Sequence, residues 1–427
     1  MKIFFDMVGC RLNQAEIDML AIDLARKGAT IVSKAEQADT IIINTCCVTL
    51  KASADSRKMI RHYKENTNAR VISTGCWVNV DFADAGQMSD LAVLNVDKEE
   101  IPQLLSDKVK RLQTQLNTKP ALGKRTRTRG FVKVQDGCNN ACSFCLTTIA
   151  RGRSVSKAVD EVVERINQLE SMGVKEIVLT GVQLGSWGKD LQPRQTIDNL
   201  LGEIISKTDI PRIRLSSIEP WDVNIDLLEL LNHDRVCAHL HVPLQSGADE
   251  ILRSMKRPMS TERYMEMIEQ IRDIASQTNI TTDVIAGFPG ETEELFNKSF
   301  EFIQNCDFDG GHVFSFSPMP GTEAALMESG IHTNEIKRRT KKLIEHFKQK
   351  QEQSRQSLIG SKQIVLYESH KKTEHGIVWS GFSESYLRVN TISEEYLSNR
   401  IMETEITGLD LKGNLIGEIP GLQELSA

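Results

Sequence analysis

Nine residues, Gly137-Cys138-Asn139-Asn140-Ala141-Cys142-Ser143-Phe144-Cys145, constrain this chain more than any others, because they place three cysteines within eight positions. The whole 427-residue chain carries only nine cysteines. Three thiolates on one short loop point to a metal, whereas a scattered cysteine behaves as a small buried hydrophobe. An iron-sulfur cluster normally takes four thiolates. A loop that offers three leaves one iron open to a substrate or a cofactor. Zinc is the rival, since it also takes clustered thiolates. It requires a fourth cysteine or a histidine nearby, and the next cysteine is Cys237.

A chain of this length suits two or three domains. Its apolar content of 40% and charged content of 26% are those of a globular protein with ample core. No apolar run is long enough to span a bilayer, and Asp6 interrupts the start too early for a signal peptide. The cytoplasm, with no membrane partner, is therefore expected. An odd number of cysteines argues for metal or redox chemistry over a disulfide framework. The net charge of -6 does not point to nucleic acid. Nine basic side chains do fall between Lys108 and Lys133, densest at Lys124-Arg125-Thr126-Arg127-Thr128-Arg129. Such a strip is either a solvated linker or a bed for an RNA backbone.

Three strand-like runs at the start each lead to a cysteine: Lys2 to Val8 into Gly9-Cys10, Thr40 to Asn44 into Thr45-Cys46-Cys47, and Arg70 to Thr74 into Gly75-Cys76. Helical periods lie between them, at Asn13 to Lys27 and Leu50 to Glu65. Strands that alternate with helices make a parallel sheet, so all three strand ends emerge on one edge. The cysteines converge there into a second three-thiolate set. Neighbours on an extended chain point apart, so only one of Cys46 and Cys47 faces it.

From Phe131 the alternation resumes through six strand candidates, Phe131 to Gln135, Glu176 to Thr180, Arg212 to Ser216, His239 to Pro243, Thr281 to Ala286 and His312 to Ser317. Six such units predict a partial (β/α) barrel with its site at the carboxyl ends of the strands. Glycine and polar groups gather at those ends, around Gly181, Ser217, Gln245 and Asp283. His239 and His241 read as core histidines, and Cys237 and Cys306 as small apolar residues. A polar helix over Glu335 to Leu358 precedes five short β-like runs. These predict a small antiparallel barrel.

The Cys-x3-Cys-x-Phe-Cys loop resembles the signature of radical S-adenosylmethionine (SAM) enzymes. Gly9-Cys10-Arg11-Leu12-Asn13-Gln14-Ala15-Glu16, Asn44-Thr45-Cys46-Cys47-Val48-Thr49 and Gly75-Cys76 resemble the three cysteine motifs of the methylthiotransferase domain. The chain thus resembles the radical SAM methylthiotransferase family over essentially its whole length. The resemblance implies an α/β architecture of an N-terminal methylthiotransferase domain (1–105), a basic linker (106–130), a radical SAM domain (131–358) and a TRAM-like RNA-binding barrel (360–424). It implies two 4Fe-4S clusters. The auxiliary one is held by Cys10, Cys46 and Cys76, leaving Cys47 free. The other is held by Cys138, Cys142 and Cys145, and its open iron is chelated by the amino and carboxylate groups of SAM. Gly181 and Gln183 are placed at the methionine amino group, Ser217, Gln245 and Asp283 near the ribose and methionine, and Phe144 and Phe314 near adenine. Arg151, Arg153 and Arg388 are placed toward the substrate, and Tyr386 and Trp379 are candidate stacking residues. One departure is the segment Leu146 to Arg153, which lacks a proline that many relatives have.

Gly9 to Asn13, Asn44 to Cys46 and Leu179 to Ser186 resemble the branch acting on N6-threonylcarbamoyladenosine at position 37 of tRNA. The implied reaction inserts a methylthio group at C2 of that base. The implied partners are the tRNA anticodon loop, an electron donor such as flavodoxin or ferredoxin, and a sulfur donor that no motif names. Alternatives within the family are isopentenyladenosine in tRNA and an aspartate of a ribosomal protein. The alternative of another class is a non-enzymatic iron-sulfur or zinc RNA-binding protein.

Overall fold

The computed structural model describes residues 1–109, 128–328, 330–374 and 376–420. The chain opens with β1 (Lys2–Met7), α1 (Arg11–Arg26), β2 (Thr30–Ile31), β3 (Thr40–Thr45), α2 (Leu50–Asn66), β4 (Arg70–Gly75), α3 (Cys76–Val80), α4 (Phe82–Met88), β5 (Leu91–Val93) and α5 (Ile101–Val109). The strands form one parallel sheet in the order β2-β1-β3-β4-β5. Ile41, Ile42 and Ile43 are all buried, as an unbroken apolar run in a sheet covered on both faces requires. Thr49 fixes the start of α2 by accepting from the Ala52 N–H. Because β1, β3 and β4 run the same way, Cys10, Cys46 and Cys76 follow their ends on one edge. Most of the basic strip falls at 110–127, outside the described residues.

The middle of the chain supplies β6 (Arg129–Lys133), the short pair β7 (Gln135–Asp136) and β8 (Val155–Ser156), α6 (Thr147–Arg151), α7 (Val159–Ser171), β9 (Glu176–Thr180), α8 (Ile197–Lys207), β10 (Arg212–Leu215), α9 (Ile225–Leu230), β11 (His239–His241), α10 (Asp249–Ser254), α11 (Thr261–Ile274), β12 (Asn279–Ala286), α12 (Glu293–Asn305) and β13 (Gly310–Ser315). Two parallel sheets, β6-β9-β10 and β11-β12-β13, join through a bridge between Ile213 and Val236 into an open barrel. A capping box of Thr196 and Asn199 starts α8, and Ser260 and Thr292 cap α11 and α12. The six-residue α10 escapes sequence periodicity because it is under two turns long. One apolar cluster joins Ile17 and Leu20 of α1 to Val132, Ile177, Ile213, Leu240 and Ile280 of the barrel strands. The first sheet and the barrel therefore share a core.

After α13 (Thr333–Gln356), β14 (Lys362–Thr373), β15 (Gly376–Ser383), β16 (Arg388–Ile392), β17 (Ile401–Leu409) and β18 (Leu415–Glu418) close into a barrel in the order β14-β15-β16-β18-β17. The β16–β18 pairing is parallel and the others are antiparallel. A closed ring of five strands cannot alternate direction throughout, so one parallel neighbour pair is a necessity of the count. Trp379 is buried in this core with its Nε1–H on the Ser393 carbonyl at 3.1 Å, so it packs and does not present a stacking face. The barrel docks under the amino ends of β9 and β10. Arg214 donates to the Ser383 and Glu384 carbonyls at 3.0 and 2.7 Å, Arg212 reaches the Ile364 and Phe382 carbonyls, and Glu176 holds both arginines. Among the described residues no helix is long and apolar enough to cross a membrane.

Candidate active site

The Cys138 loop leaves the open barrel between β7 and α6. Gly137 turns it with φ of 69°, in the left-handed region that glycine enters freely. A β-carbon there would collide with the Arg153 carbonyl. Gln135 braces the loop, its Nε2 donating to the Gly137 carbonyl at 2.7 Å and to Ser154 Oγ at 2.8 Å. Cys138 Sγ lies 3.3 Å from Gln183 Oε1. Burial pushes the Cys138 and Cys142 thiols up, Cys142 to about 11. Phe144 packs edge-on against Phe288, with centroids 6.4 Å apart.

At the edge of the first sheet, Cys46 and Cys47 diverge. Cys46 faces the Gly9-Cys10 turn, where a β-carbon on Gly9 would come within 3.2 Å of Cys46 Sγ. Cys47 enters an apolar cluster with Cys76 and Trp77. Burial lifts Cys46 to about 11. Cys76 is drawn down to about 6, because Cys47 donates a hydrogen bond to it and Arg151 stands beside it, against the opposing effect of burial.

Among the described residues no three His, Cys, Asp or Glu side chains converge closely enough to hold a single metal ion. A 4Fe-4S cluster makes a different demand, since each thiolate takes a separate iron at a corner of a cube and the sulfurs stand apart. In each trio the thiols lie near enough to feel one another's charge: Cys46 is opposed by Cys76 and Cys10, and Cys142 by Cys145 and Cys138.

A buried ionic network ties the two trios together. Arg151, the last residue of α6 just beyond the cysteine loop, donates through Nε to Cys76 Sγ at 3.1 Å, through Nη1 to Glu16 and Asp136 at 2.9 Å each, and through Nη2 to Asn13 at 2.8 Å. Lys98 Nζ reaches the other oxygen of Glu16 at 2.6 Å. Burial opposes ionisation of Glu16, but Lys98, Arg151 and Lys133 outweigh it and hold the carboxyl well below its usual range. The expectation that Arg151 faces substrate is therefore corrected: its side chain is 3% exposed and spent on acids and a thiol of the first domain. Sequence reasoning gives no role to Glu16 or Lys98. The signal for Glu16 lies in α1, where Asn13 and Glu16 share the face of Ile17 and Leu20 and so put polar groups on a buried stripe. Lys98 carries none, because its partner is 82 residues away.

Between these parts lies a cavity of about 550 Å³. Gly181, Ser217, Asp283 and Phe314 line it from the barrel, Cys10 and Arg11 from the first sheet, and Tyr386 from the C-terminal barrel. Asp283 is paired with His241 at 3.1 Å. The Ser216 Oγ and His239 Nδ1 atoms on its walls are buried without a hydrogen-bond partner, which suits a polar occupant. Burial also keeps His239 neutral, its pKa pushed well down. The remaining expected residues stand apart from the cavity lining. Gln183 lies beneath Cys138, Phe144 against Phe288, and Gln245 joins β12 through its backbone, its N–H on the Asp283 carbonyl at 2.8 Å. Arg153 and Arg388 are exposed. Tyr386 sits at the domain junction with φ of 63°, under Arg11, Arg214 and Arg129, instead of on an open face.

Residues 132–303 match the model of the Radical SAM superfamily, and residues 2–94 match that of the Uncharacterized protein family UPF0004. The chain is 33% identical over 406 residues to a threonylcarbamoyladenosine tRNA methylthiotransferase of Thermotoga maritima, covering 92% of this chain and 91% of that one. It is 29% identical over 427 residues to a tRNA-2-methylthio-N(6)-dimethylallyladenosine synthase of Clostridium tetani, covering 95% and 93%. In fold it is similar to the radical SAM methyltransferase TsrM of Kitasatospora setae, with a TM-score of 0.57 over 76% of each chain at 13% identity. The superfamily match implies a 4Fe-4S cluster and SAM as cofactors. The loop of three thiols, the edge of three more and the similarity along nine-tenths of the sequence agree: this chain belongs to the radical SAM methylthiotransferase family.

Proposed function

We propose that this enzyme inserts a methylthio group at C2 of N6-threonylcarbamoyladenosine at position 37 of tRNA, with a second 4Fe-4S cluster on Cys10, Cys46 and Cys76. The observation that carries this reading is the shared cavity, which Cys10 and the Gly181, Ser217 and Asp283 rim line together. Delivering sulfur from one site to a carbon activated at another requires that both reach the same bound base. The relatives in Thermotoga maritima and Clostridium tetani bear names of tRNA-modifying enzymes, which supports tRNA as the substrate. The serine, threonine, histidine and arginine side chains among the lining residues offer the polar threonylcarbamoyl group partners that an apolar isopentenyl tail would leave unmet.

The adenine C2–H is not acidic enough for a positioned base. Bound at Cys138, Cys142 and Cys145, the cluster with SAM would supply one-electron chemistry strong enough for such a bond. The chain's own residues prepare the site. Arg151 and the Cys47 thiol hold Cys76 toward its thiolate form. Gly181 packs so closely on Gln135 that a side chain there would collide with its Oε1, which keeps the rim open to close approach. His241 orients Asp283 on the cavity wall. The C-terminal barrel closes the lumen from below and, as a TRAM-like unit, contributes exposed Arg388 to the anticodon loop. An external electron donor such as flavodoxin or ferredoxin completes the system.

Mass spectrometry of nucleosides from total tRNA, with and without this gene, tests the reading. Loss of 2-methylthio-N6-threonylcarbamoyladenosine with accumulation of its unthiolated precursor is expected. Persistence of that nucleoside while the isopentenyl analogue disappears would replace the substrate.

A further inference from the structure

Two arginines, Arg11 and Arg355, are among the residues that line the cavity. Arg11, the first residue of α1, enters from the first sheet and stacks over the Tyr386 ring at 4.8 Å. Arg355 lies near the end of α13. Among the described residues neither is paired with a carboxylate. Of the two acids that line the cavity, Asp309 is paired with Arg272 at 2.9 Å, and Asp283 meets the His241 ring at 3.1 Å. His239, neutral and with Nδ1 unpartnered, also lines the cavity.

An arginine fork that lines a partly enclosed space without an ion-pair partner suits a carboxylate. Two carboxylates have a claim on it, that of SAM and that of the threonylcarbamoyl substituent. SAM belongs at the carboxyl ends of the strands, beside Cys138. Arg355 and Tyr386 lie at the opposite end, by Asn279 and Asp309 at the starts of β12 and β13. A base whose C2 faces the Cys10 side carries its N6 substituent two ring positions away, directed past Arg11 into this end.

We propose that Arg11, supported by Arg355 in the lining of the same cavity, binds the free carboxylate of the threonylcarbamoyl group and so selects an anionic N6 substituent over a neutral one. The inference rests on the substrate reading above. Arg11 is a specificity residue here, and its stack on Tyr386 presents the guanidinium from a fixed position.

The test uses the anaerobically reconstituted full chain and two preparations of one tRNA, bearing threonylcarbamoyladenosine or plain adenosine at position 37. Equilibrium binding should favour the modified tRNA by about 10-fold to 100-fold, the range of a charge-assisted hydrogen-bonded pair. Arg11→Gln should bring that ratio close to one, and Arg11→Lys should restore part of it. Arg355→Gln should lower the ratio in the same direction and serves if Arg11→Gln does not fold. Retention of the full ratio by both glutamine variants would overturn the proposal, while methylthiolation of the modified tRNA by the unaltered enzyme would still uphold the substrate reading. Absence of both the ratio and the product in the unaltered enzyme would sink the substrate reading and the proposal together. SAM affinity is measured in parallel by equilibrium dialysis. A tenfold loss of it in Arg11→Gln, with the tRNA ratio intact, would assign the site to the SAM carboxylate and overturn the proposal.

Discussion

Arg151 Nε lies 3.1 Å from Cys76 Sγ, so a side chain from the helix that follows one cysteine trio is a hydrogen-bond donor to a cysteine of the other, 75 residues away in sequence. The same guanidinium binds Glu16, Asp136 and Asn13. The separation and relative orientation of the two trios thus pass through one rigid fork.

Arg151→Ala should therefore destabilise the protein and misplace the trios. It leaves Glu16 buried with Lys98 and Lys133 as its cationic partners, so the loss should stay below the about 3–5 kcal/mol of a buried charge left with no partner. Urea unfolding at neutral pH measures the loss. Arg151→Lys keeps the charge but not the fork, and it should recover part of the stability and less of the methylthiolated product. Equal product from the lysine variant and the unaltered enzyme would show that the hydrogen bond to Cys76 is incidental.

Glu176 makes the stability of the domain junction depend on acid. Burial would raise its pKa, but Arg214 and Arg212 outweigh that and lower it. A carboxyl depressed in the folded state stabilises fully above its unfolded value, about 4.3, and loses the contribution as pH falls through the lower folded value. Urea stability should accordingly decline on acidification below about pH 4.3. Glu176→Gln should lose about 3–5 kcal/mol near neutrality and respond less to acid. Hydrogen exchange should locate the loosening at 362–392, where Arg212 and Arg214 hold the C-terminal barrel.

What could be read from the sequence, and what could not, divides along physical lines. The cysteine trios were legible because one is local and the other follows from parallel topology, which brings the ends of β1, β3 and β4 to one edge whatever the intervening length. The direction of Arg151 was not, because a charged residue after a catalytic loop reads as substrate-facing until its buried partner Glu16 is known. Tyr386 read as a surface stacking residue, since nothing local discloses that a left-handed turn after β15 points it at Arg11 and Arg214. The packing of the Phe144 ring on Phe288 was not legible either, because Phe288 comes from a strand-end loop far along the chain.

Arg153 and Arg388 are exposed, and the Arg388 guanidinium lies 4.7 Å over the Phe382 ring, which holds it at the surface without neutralising it. If each meets one phosphate, replacement by alanine should weaken tRNA binding and reduce the salt slope by about 0.7–0.9 for each phosphate no longer neutralised. Binding isotherms between low and moderate salt read this directly. An unchanged slope in the double variant would move the tRNA path elsewhere.

Gly137→Ala isolates the loop trio without touching a thiol. The φ of 69° is costly for any residue with a β-carbon, and that carbon would strike the Arg153 carbonyl. The cost falls on the turn that presents Cys138, while Cys10, Cys46 and Cys76 sit on a separate sheet. Two 4Fe-4S clusters hold about eight irons, so the variant should retain about four after anaerobic reconstitution and should lose SAM cleavage. Cys76→Ala should likewise retain about four irons, but on the other trio, with the product lost at the sulfur-insertion step. Adding Gly137→Ala to Cys76→Ala should then remove the remaining iron. If Gly137→Ala alone removes all of the iron, the two trios do not load independently, and the Arg151 network would be the physical link that makes them load as one.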